Sequence, residues 1–412
     1  MKIYEVGGAV RDSLIGLEVN ERDWVVVGSN QSELLNLGYK KIGKDFPVFL
    51  HPKTNEEYSL ARKEKKISSG YHGFSFDTSS SISLKEDLLR RDLTINAIAR
   101  DNLNNIFDPF NGKDDIKKKL LRHISPAFKE DPLRVVRVAR FAAKFYNYGF
   151  KIADETLVLM TEMCNNGEIN SLRPERIWQE TEKALSTDRP DIFFKTLKRC
   201  NALRIIFPEI EALFGVPQSK ASHPEIDTGI HAMMCLKSVA EMTSDTTIRF
   251  ATLVHDLGKA SIDSKNLTKN NIHEKESVKK LNKIFKRFPV PKRYQEIAIA
   301  VAKFHGIIHK IYGLSATEII QLIEDIDGIR KPSKLKAITI ACEANHRGRK
   351  GKENSRYEQR EYLEQIFENI QNVNMIDITS NLTGKELGDA IRKKRIAIIT
   401  EYLNKNKKNY AS

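Results

Sequence analysis

Gly7-Gly8-Ala9-Val10-Arg11-Asp12-Ser13-Leu14-Ile15-Gly16-Leu17-Glu18-Val19-Asn20-Glu21-Arg22-Asp23 leads straight into Trp24-Val25-Val26-Val27. A short apolar strand pattern, Ile3 to Val6, precedes the glycine pair, and a short amphipathic helix carrying Arg11 follows it. A second strand then opens with Glu21 and Asp23, one residue apart. Side chains at i and i+2 of a strand share a face, so these carboxylates can grip one cation side by side. Glycine lets a backbone approach a phosphate closely, and amides at a helix N-terminus favour anions. A phosphate cradle beside a cation grip is the layout expected for handling a nucleoside triphosphate.

The chain around this stretch has 412 residues, which predicts two to four domains. Hydrophobic residues make up 40% and charged residues 30%, a globular balance. The net charge of +14 and pI of about 9.4 favour a polyanionic partner, although a lysine-rich bias in composition gives the same numbers. Cys164, Cys200, Cys235 and Cys342 are widely spaced with no CxxC pair, which argues against a zinc ribbon or disulfide framework and fits a reducing cytoplasm. Met1 leads directly into a strand pattern, so no signal peptide is expected. No apolar run approaches the ~18 residues of a membrane span.

Strands are expected at 2–6, 24–27, 48–50 and 58–61, and from about 114 onward the pattern is helical. Helical spacing covers 131–145, 174–185, 192–200, 230–242, 248–255, 275–288, 295–305, 316–326, 334–344 and 356–373. Pro132 and Pro174 sit where a first turn accepts proline. Breaks are expected near 122–126, 217–224 and 330–332. The Gly-, Ser- and Lys-rich segment 63–83 reads as a loop, and 404–412 as a frayed tail.

Further charged groups fit the triphosphate reading. Mg²⁺ takes oxygen ligands, commonly carboxylates plus substrate phosphates, and Glu57 is a possible third carboxylate beside Glu21 and Asp23. Arg90-Arg91-Asp92-Leu93-Thr94-Ile95-Asn96-Ala97 is expected to begin a helix with paired arginines near its start. Arginine grips phosphate with two donors at once. In Glu130-Asp131-Pro132-Leu133-Arg134-Val135-Val136-Arg137-Val138-Ala139-Arg140-Phe141, three arginines spaced by three line one side of a helix whose other side is apolar. Asp131 and Arg134 are neighbours on that helix and offer an acceptor and a forked donor suited to a nucleobase edge. The alternative for them is an intrahelical ion pair with two spare surface arginines.

Taken in order, Gly7-Gly8-Ala9-Val10-Arg11-Asp12, Glu21-x-Asp23, Arg91-Asp92-x-Thr94-Ile95-Asn96-Ala97, Asp108-Pro-x-Asn-Gly112, Glu130-Asp131-x-x-Arg134 and Pro174-Glu175-Arg176-Ile177 form an ordered set, and they carry a resemblance that covers nearly the whole length. The set resembles the class II tRNA nucleotidyltransferases, most closely the CCA-adding members with an HD domain. The resemblance implies an α+β fold: a polymerase-β-like nucleotidyltransferase head (1–125), then an all-α neck and body (126–225), HD domain (226–330) and tail (331–412). It implies addition of CCA to tRNA 3′ ends from CTP and ATP without a template. By the same resemblance, Gly8, Arg11, Arg91, Arg137 and Arg140 contact the triphosphate, Glu21 and Asp23 hold Mg²⁺, and Asp131 with Arg134 reads the nucleobase. The loop at 63–83 stands where the family has a mobile segment for switching from C to A. Glu21 departs from the family's usual Asp by one methylene.

In the second half, Ala251-Thr252-Leu253-Val254-His255-Asp256-Leu257-Gly258-Lys259 sets His beside Asp at a helix end, with His231 upstream. Imidazole nitrogen with carboxylate oxygen suits transition metals better than Mg²⁺, while a dipole-favoured His with a glycine cap is the structural alternative. The segment resembles the HD phosphohydrolase superfamily. That implies a site for Ni²⁺ or another divalent transition metal at His231, His255 and Asp256, with phosphatase, 2′-nucleotidase and 2′,3′-cyclic phosphodiesterase activity. His273 and His305 are further candidates, and Asp325 and Asp327 could close the site or be surface charges. Relatives carry two or more histidines before the helix at Glu274; this chain has His273, with Asn270 and Asn271 nearby.

Basic stretches at 117–122, Arg173 with Arg176, 195–199 and 346–352 are candidate tRNA contacts, since A-form RNA is met through its phosphates and shape. The expected assembly is a monomer or homodimer without a membrane role. Rival readings are a bacterial poly(A) polymerase, an HD nucleotide hydrolase with an impaired head, and a tRNA-binding protein without catalysis. The acidic pair beside a full arginine set argues against the last.

Overall fold

The computed structural model describes residues 1–42, 48–66, 74–218, 224–261, 272–371 and 382–406. These divide into two compact units, Met1–Ala184 with Ile192–Ile206, and Leu185–Asp191 with Phe207–Ser412.

The first unit is built on a mixed sheet. Strands β1 (Lys2–Val6), β2 (Asp23–Val27), β3 (Lys40–Ile42), β4 (Val48–Leu50), β5 (Glu57–Leu60), β8 (Ala99–Arg100) and β9 (Ile106–Phe107) lie in the order β3-β4-β5-β2-β1-β8-β9. Only the β2–β5 pair is parallel. Alternation along β2 sends Val25 into one apolar cluster with Tyr4, Val6 and Leu88, and Val26 into another with Leu34, Phe49 and Leu60. Helix α1 (Gly8–Ile15) follows β1, α2 (Gln31–Asn36) follows β2, and α3 (Leu84–Leu89) and α4 (Gly112–Lys118) come later in this unit.

Three expectations for this unit need correction. Strand β2 begins at Asp23, so Glu21 lies just before the strand rather than within it. Residues 63–83 are not simply a loop: β6 (Lys63–Lys66) and β7 (Phe74–Asp77) pair antiparallel, while 67–73 fall outside the described residues. Arg90 and Arg91 do not start a helix. Arg90 caps the C-terminus of α3, which a Ser83–Glu86 capping box starts, Arg91 comes just after it, and a 3₁₀ turn at Thr94–Asn96 follows.

Helices α5 (Leu133–Lys144), α6 (Asp154–Asn165), α7 (Pro174–Leu185), α8 (Pro190–Arg199) and α9 (Leu203–Ile206) come next, with a short parallel pair, β10 (Leu120–Leu121) and β11 (Lys151–Ile152). Leu133, Val135, Val136, Val138, Phe141 and Ala142 are buried, as the apolar stripe of α5 predicts.

The second unit is helical: α10 (Pro208–Glu211), α11 (Thr228–Met242), α12 (Thr246–Val254), α13 (Ile272–Arg287), α14 (Lys292–His309), α15 (Ala316–Asp325), α16 (Pro332–Arg347), α17 (Glu358–Gln371) and α18 (Gly384–Asn406). Helix α12 packs against α11, α14 and α16. Asp227 and Asp245 cap α11 and α12 by accepting amides of their first turns. Helix α18 runs to Asn406, into the stretch expected to fray, and Asn270 and Asn271 fall outside the described residues. All four cysteines are buried and unbridged. Among the described residues no helix is long and apolar enough to cross a membrane.

Candidate active sites

Gly7 is the pivot of the first site. It takes φ +72° and ψ −126° between β1 and α1, a mirror-β conformation open to glycine that costs other residues about 1–3 kcal/mol. A Cβ there would lie 2.8 Å from Arg91 Nη1 and 4.0 Å from Asp23 Oδ2. The bare backbone at Gly7 therefore lets a guanidinium and a carboxylate converge at the mouth of α1. Arg11 Nη2 lies 3.5 Å from where a Cβ on Gly8 would stand. Asp23 faces Glu57 across the parallel β2–β5 pair, and Glu21, Asp23 and Glu57 are all exposed. Asp23 keeps an exposed edge, yet the protein around it withdraws much of its solvent, and this desolvation, with the neighbouring Glu21, raises its pKa against the pull of Arg91. Adjacent carboxylates that disfavour one another's charge, with all-oxygen donors, fit a hard divalent cation.

A lattice of charged groups holds the arginines. Arg11 donates to Asn96 Oδ1 at 2.5 Å and to Asp12 Oδ1 at 2.7 Å, and lies 4.9 Å from the Phe145 ring centre. Asn96 Nδ2 donates to Asp92 Oδ1, and Arg137 Nε donates to Asp92 Oδ2, both at 2.7 Å. Arg140 donates to Glu180 at 2.5 Å and lies over the Phe141 ring at 4.2 Å. Burial alone would raise the Asp92 pKa; Arg137 and the Asn96 amide instead hold it far below the usual carboxylate range. Asp92 and Asn96 lie in the quoted motif Arg91–Ala97 but carry no assigned role in the sequence reading, although their i, i+4 spacing beside Arg91 is the signal that could have given them one.

Asp131 and Arg134 do not pair through their side chains. Asp131 caps the start of α5 by accepting Leu133 N–H at 3.0 Å, and takes Arg176 at 3.1 Å. Arg134 is buried and donates to the carbonyls of Ala127, at 2.7 Å, and of Arg90. The pair shares the start of α5, each group held by a different neighbour.

The second site gathers around Asp256, at the end of α12. His255 Nδ1 donates to the Thr252 carbonyl at 2.7 Å, and His305 Nδ1 to the Val301 carbonyl at 3.0 Å. With Nδ1 given to a backbone carbonyl, each ring has its Nε2 left for another partner. His255 Nε2 lies 3.0 Å from Asp256 Oδ2, while His305 Nε2 lies 3.4 Å and His273 Nε2 3.9 Å from Asp256 Oδ1. His255 Nε2 and Asp256 Oδ1 are buried without hydrogen-bond partners. Burial lowers the His255 pKa and takes that of His273 down to about 4, which keeps both neutral. Lone pairs and a carboxylate turned on one another in a dry interior are unfavourable unless a cation sits among them, so these residues fit a transition metal. Among the described residues, two donor triples bring one ligand atom from each member within 4.8 Å of the others: His231, His255 and Asp256, and Asp256, His273 and His305.

His231 is the more committed histidine. Its Nδ1 lies 2.9 Å from Glu225 Oε1 and 3.2 Å from the Gly348 carbonyl, and its Nε2 lies 2.9 Å from Asn345 Oδ1. His273 opens α13 rather than lying in a loop before it. Asp325 and Asp327 belong to neither triple; Gln321 donates to the first and Arg330 to the second.

The basic candidates differ in exposure. Lys117, Lys118, Lys195, Arg199, Lys350 and Lys352 are exposed. Arg122 is tied to Asp115, Arg176 to Asp131 and Arg347 to Glu343. The stretch 346–352 is not a free loop: His346 and Arg347 end α16, and a Cβ on Gly348 would meet Cys235 Sγ at 2.4 Å.

Comparison with known proteins follows this geometry. Residues 3–122 match the poly A polymerase head domain, 149–214 the probable RNA and SrmB-binding site of polymerase A, and 228–382 the HD domain. The chain is 48% identical over 402 residues to the multifunctional CCA protein of Thioalkalivibrio sulfidiphilus, covering 97% of this chain and 98% of that one. It is 49% identical over 403 residues to that of Shewanella denitrificans, with 98% of each covered. Among solved structures, a CCA-adding enzyme in apo form II aligns with TM-score 0.63 at 20% identity, covering 98% of this chain and 92% of that one. A CCA-adding enzyme with ATP gives TM-score 0.63 at 18%, covering 98% and 90%. One with CTP gives 0.62 at 19%, covering 98% and 91%; these structural likenesses speak to the fold. With nearly half of all residues identical along almost the entire length of both partners, this chain belongs to the multifunctional CCA protein family.

Proposed function

We propose that this chain builds and repairs the 3′-terminal CCA of tRNA from CTP and ATP, and that its HD cluster hydrolyses phosphomonoesters and 2′,3′-cyclic phosphodiesters. The convergence of Asp23, Gly7 and Arg91 carries the first part, in a chain whose full-length relatives are CCA proteins. Those relatives favour CCA addition over the poly(A) polymerase reading. In the reaction the tRNA 3′-oxygen bonds to the α-phosphorus of the nucleotide, and the bond to pyrophosphate breaks. Glu21 and Asp23 are the residues that would hold Mg²⁺, which when bound offsets charge on the attacking and leaving oxygens. Arg11, Arg91, Arg137 and Arg140 orient the triphosphate by charge-assisted hydrogen bonds, and Gly8 gives it backbone access. Asp131 and Arg134 read the base edge, which requires the base to take the place of Arg176 on Asp131 and of the Ala127 carbonyl on Arg134.

The hydrolytic part rests on the buried, unpartnered His255 Nε2 and Asp256 Oδ1. His231, His255 and Asp256, with His273 and His305 beside them, would hold Ni²⁺ or another divalent transition metal, which when bound activates water. The exposed basic residues meet tRNA phosphates, in a cytoplasmic enzyme acting as a monomer or homodimer. The head at 1–125, body at 126–225, HD domain at 226–330 and tail at 331–412 remain our working division.

One pair of variants tests both halves. Asp23→Ala is expected to abolish CTP and ATP incorporation into tRNA lacking CCA while leaving Ni²⁺-supported phosphatase activity intact. His255→Ala is expected to do the reverse. Normal incorporation by Asp23→Ala, or normal hydrolysis by His255→Ala, overturns the corresponding assignment.

A further inference from the structure

The cluster around Asp256 is short of negative charge. Lys259 Nζ lies 2.7 Å from Asp256 Oδ2, so the one carboxylate shared by both donor triples is already balanced by a lysine. A divalent ion among neutral imidazoles there would stand in the interior with its charge uncompensated, which is costly. Glu225 is taken up by His231 Nδ1, and a further carboxylate stands beside His273 and Gly306. Glu274 lies in the first turn of α13, next to His273, and is only 6% exposed.

Two glycines bring it there. At Gly258, a Cβ would lie 2.0 Å from the His273 carbonyl oxygen and 2.6 Å from Ser277 N, and Gly258 N–H donates to Ser277 Oγ at 2.8 Å. Only a glycine lets α13 begin directly on the turn after Asp256. At Gly306, beside His305 on α14, a Cβ would lie 2.4 Å from Glu274 Oε1 and 3.6 Å from its Cδ. The carboxylate occupies the space that any side chain at 306 would fill. Burial raises the Glu274 pKa, with His305 drawing it down and Asp256 pushing it up, so both groups are its electrostatic neighbours.

We propose that Glu274 is the second carboxylate of the HD metal centre, admitted by the missing side chain at Gly306. This rests on the reading of the cluster as a metal site and adds to it a residue outside both donor triples. Glu274 supplies the negative charge that Lys259 withdraws from Asp256 and helps hold the divalent ion. Gly306 acts as a positioning residue: it touches no ion and works by leaving Glu274 room.

The test is Ni²⁺ affinity of the full chain by titration calorimetry, with His255→Ala as the baseline for ions bound elsewhere. Glu274→Gln keeps the shape and removes the charge, and is expected to bind at least tenfold more weakly than the native chain, with CCA addition unchanged. Gly306→Ala is expected to weaken binding similarly by displacing Glu274, and the double variant to lose little more than either alone. Native-like Ni²⁺ affinity in Glu274→Gln overturns the proposal. If the native chain binds no more Ni²⁺ than His255→Ala, the metal reading of the whole cluster fails instead, and the two failures are distinct.

Discussion

At the scale of single residues, Asp92 is the clearest example of a side chain whose work is to hold others. It takes Arg137 on one oxygen and Asn96 on the other, and Asn96 in turn takes Arg11. Asp92→Asn takes from Arg137 its closest anion and leaves Glu180 at 3.9 Å. Because the Arg137 side chain is 36% exposed, the cost falls below the ~3–5 kcal/mol of a fully buried pair, to about 1–2 kcal/mol, while a misplacement of about 1 Å at a reacting group can cost on the order of 100-fold in rate. We expect CCA addition to fall by about that factor, and urea denaturation at neutral pH to show the lost stability. The difference depends on pH in a defined direction. Because the folded-state pKa of Asp92 is depressed, its contribution is full above the unfolded value near 3.9 and is lost as pH falls through the folded value. The denaturation midpoints of native and variant chains should be furthest apart above about pH 5 and converge in strong acid. A gap that widened on acidification would contradict this account.

At the scale of elements, patterning was legible where one face carried the signal. The strands at 2–6 and 48–50 and the helix at 174–185 are where alternation or helical spacing put them. Arg90 and Arg91 were set at the wrong end of a helix because apolar spacing outweighed the Ser83-x-x-Glu86 capping box upstream, itself a readable start signal. The β6–β7 hairpin was hidden by its polar, Gly- and Ser-rich sequence, since its ladder is made of backbone groups that composition does not report. Gly7 shows how an element boundary makes a site. Gly7→Ala places a methyl 2.8 Å from Arg91 Nη1 at a positive φ. The backbone strain of about 1–3 kcal/mol should lower the melting temperature by a few degrees. Displacement of Arg91 should raise KM for CTP and ATP several-fold in steady-state kinetics, whereas unchanged KM would show that the glycine serves the turn alone.

At the scale of the whole molecule, the order of motifs carried the reading further than any one of them. Each alone has an ordinary structural explanation, and it is their succession from Gly7 to Ile177 that points to the family to which the chain belongs. What the sequence could not disclose was the company each residue keeps. Asn345, Glu225 and Glu274 reach the Asp256–His231 neighbourhood from separate helices and turns, with no local spacing to link them. Charge is also a whole-molecule property. With +14 overall, tRNA affinity should fall steeply and log-linearly with salt, and Lys350→Ala with Lys352→Ala should reduce the slope if those exposed lysines meet phosphate. Affinity indifferent to salt would contradict an electrostatic interface. The account as a whole turns on what the chain adds to RNA. The most direct measurement is to incubate it with tRNA lacking its 3′ end, CTP, ATP and Mg²⁺, and to sequence the products. Termini ending in CCA and extending no further are the predicted result; a run of A, or no extension at all, would contradict it.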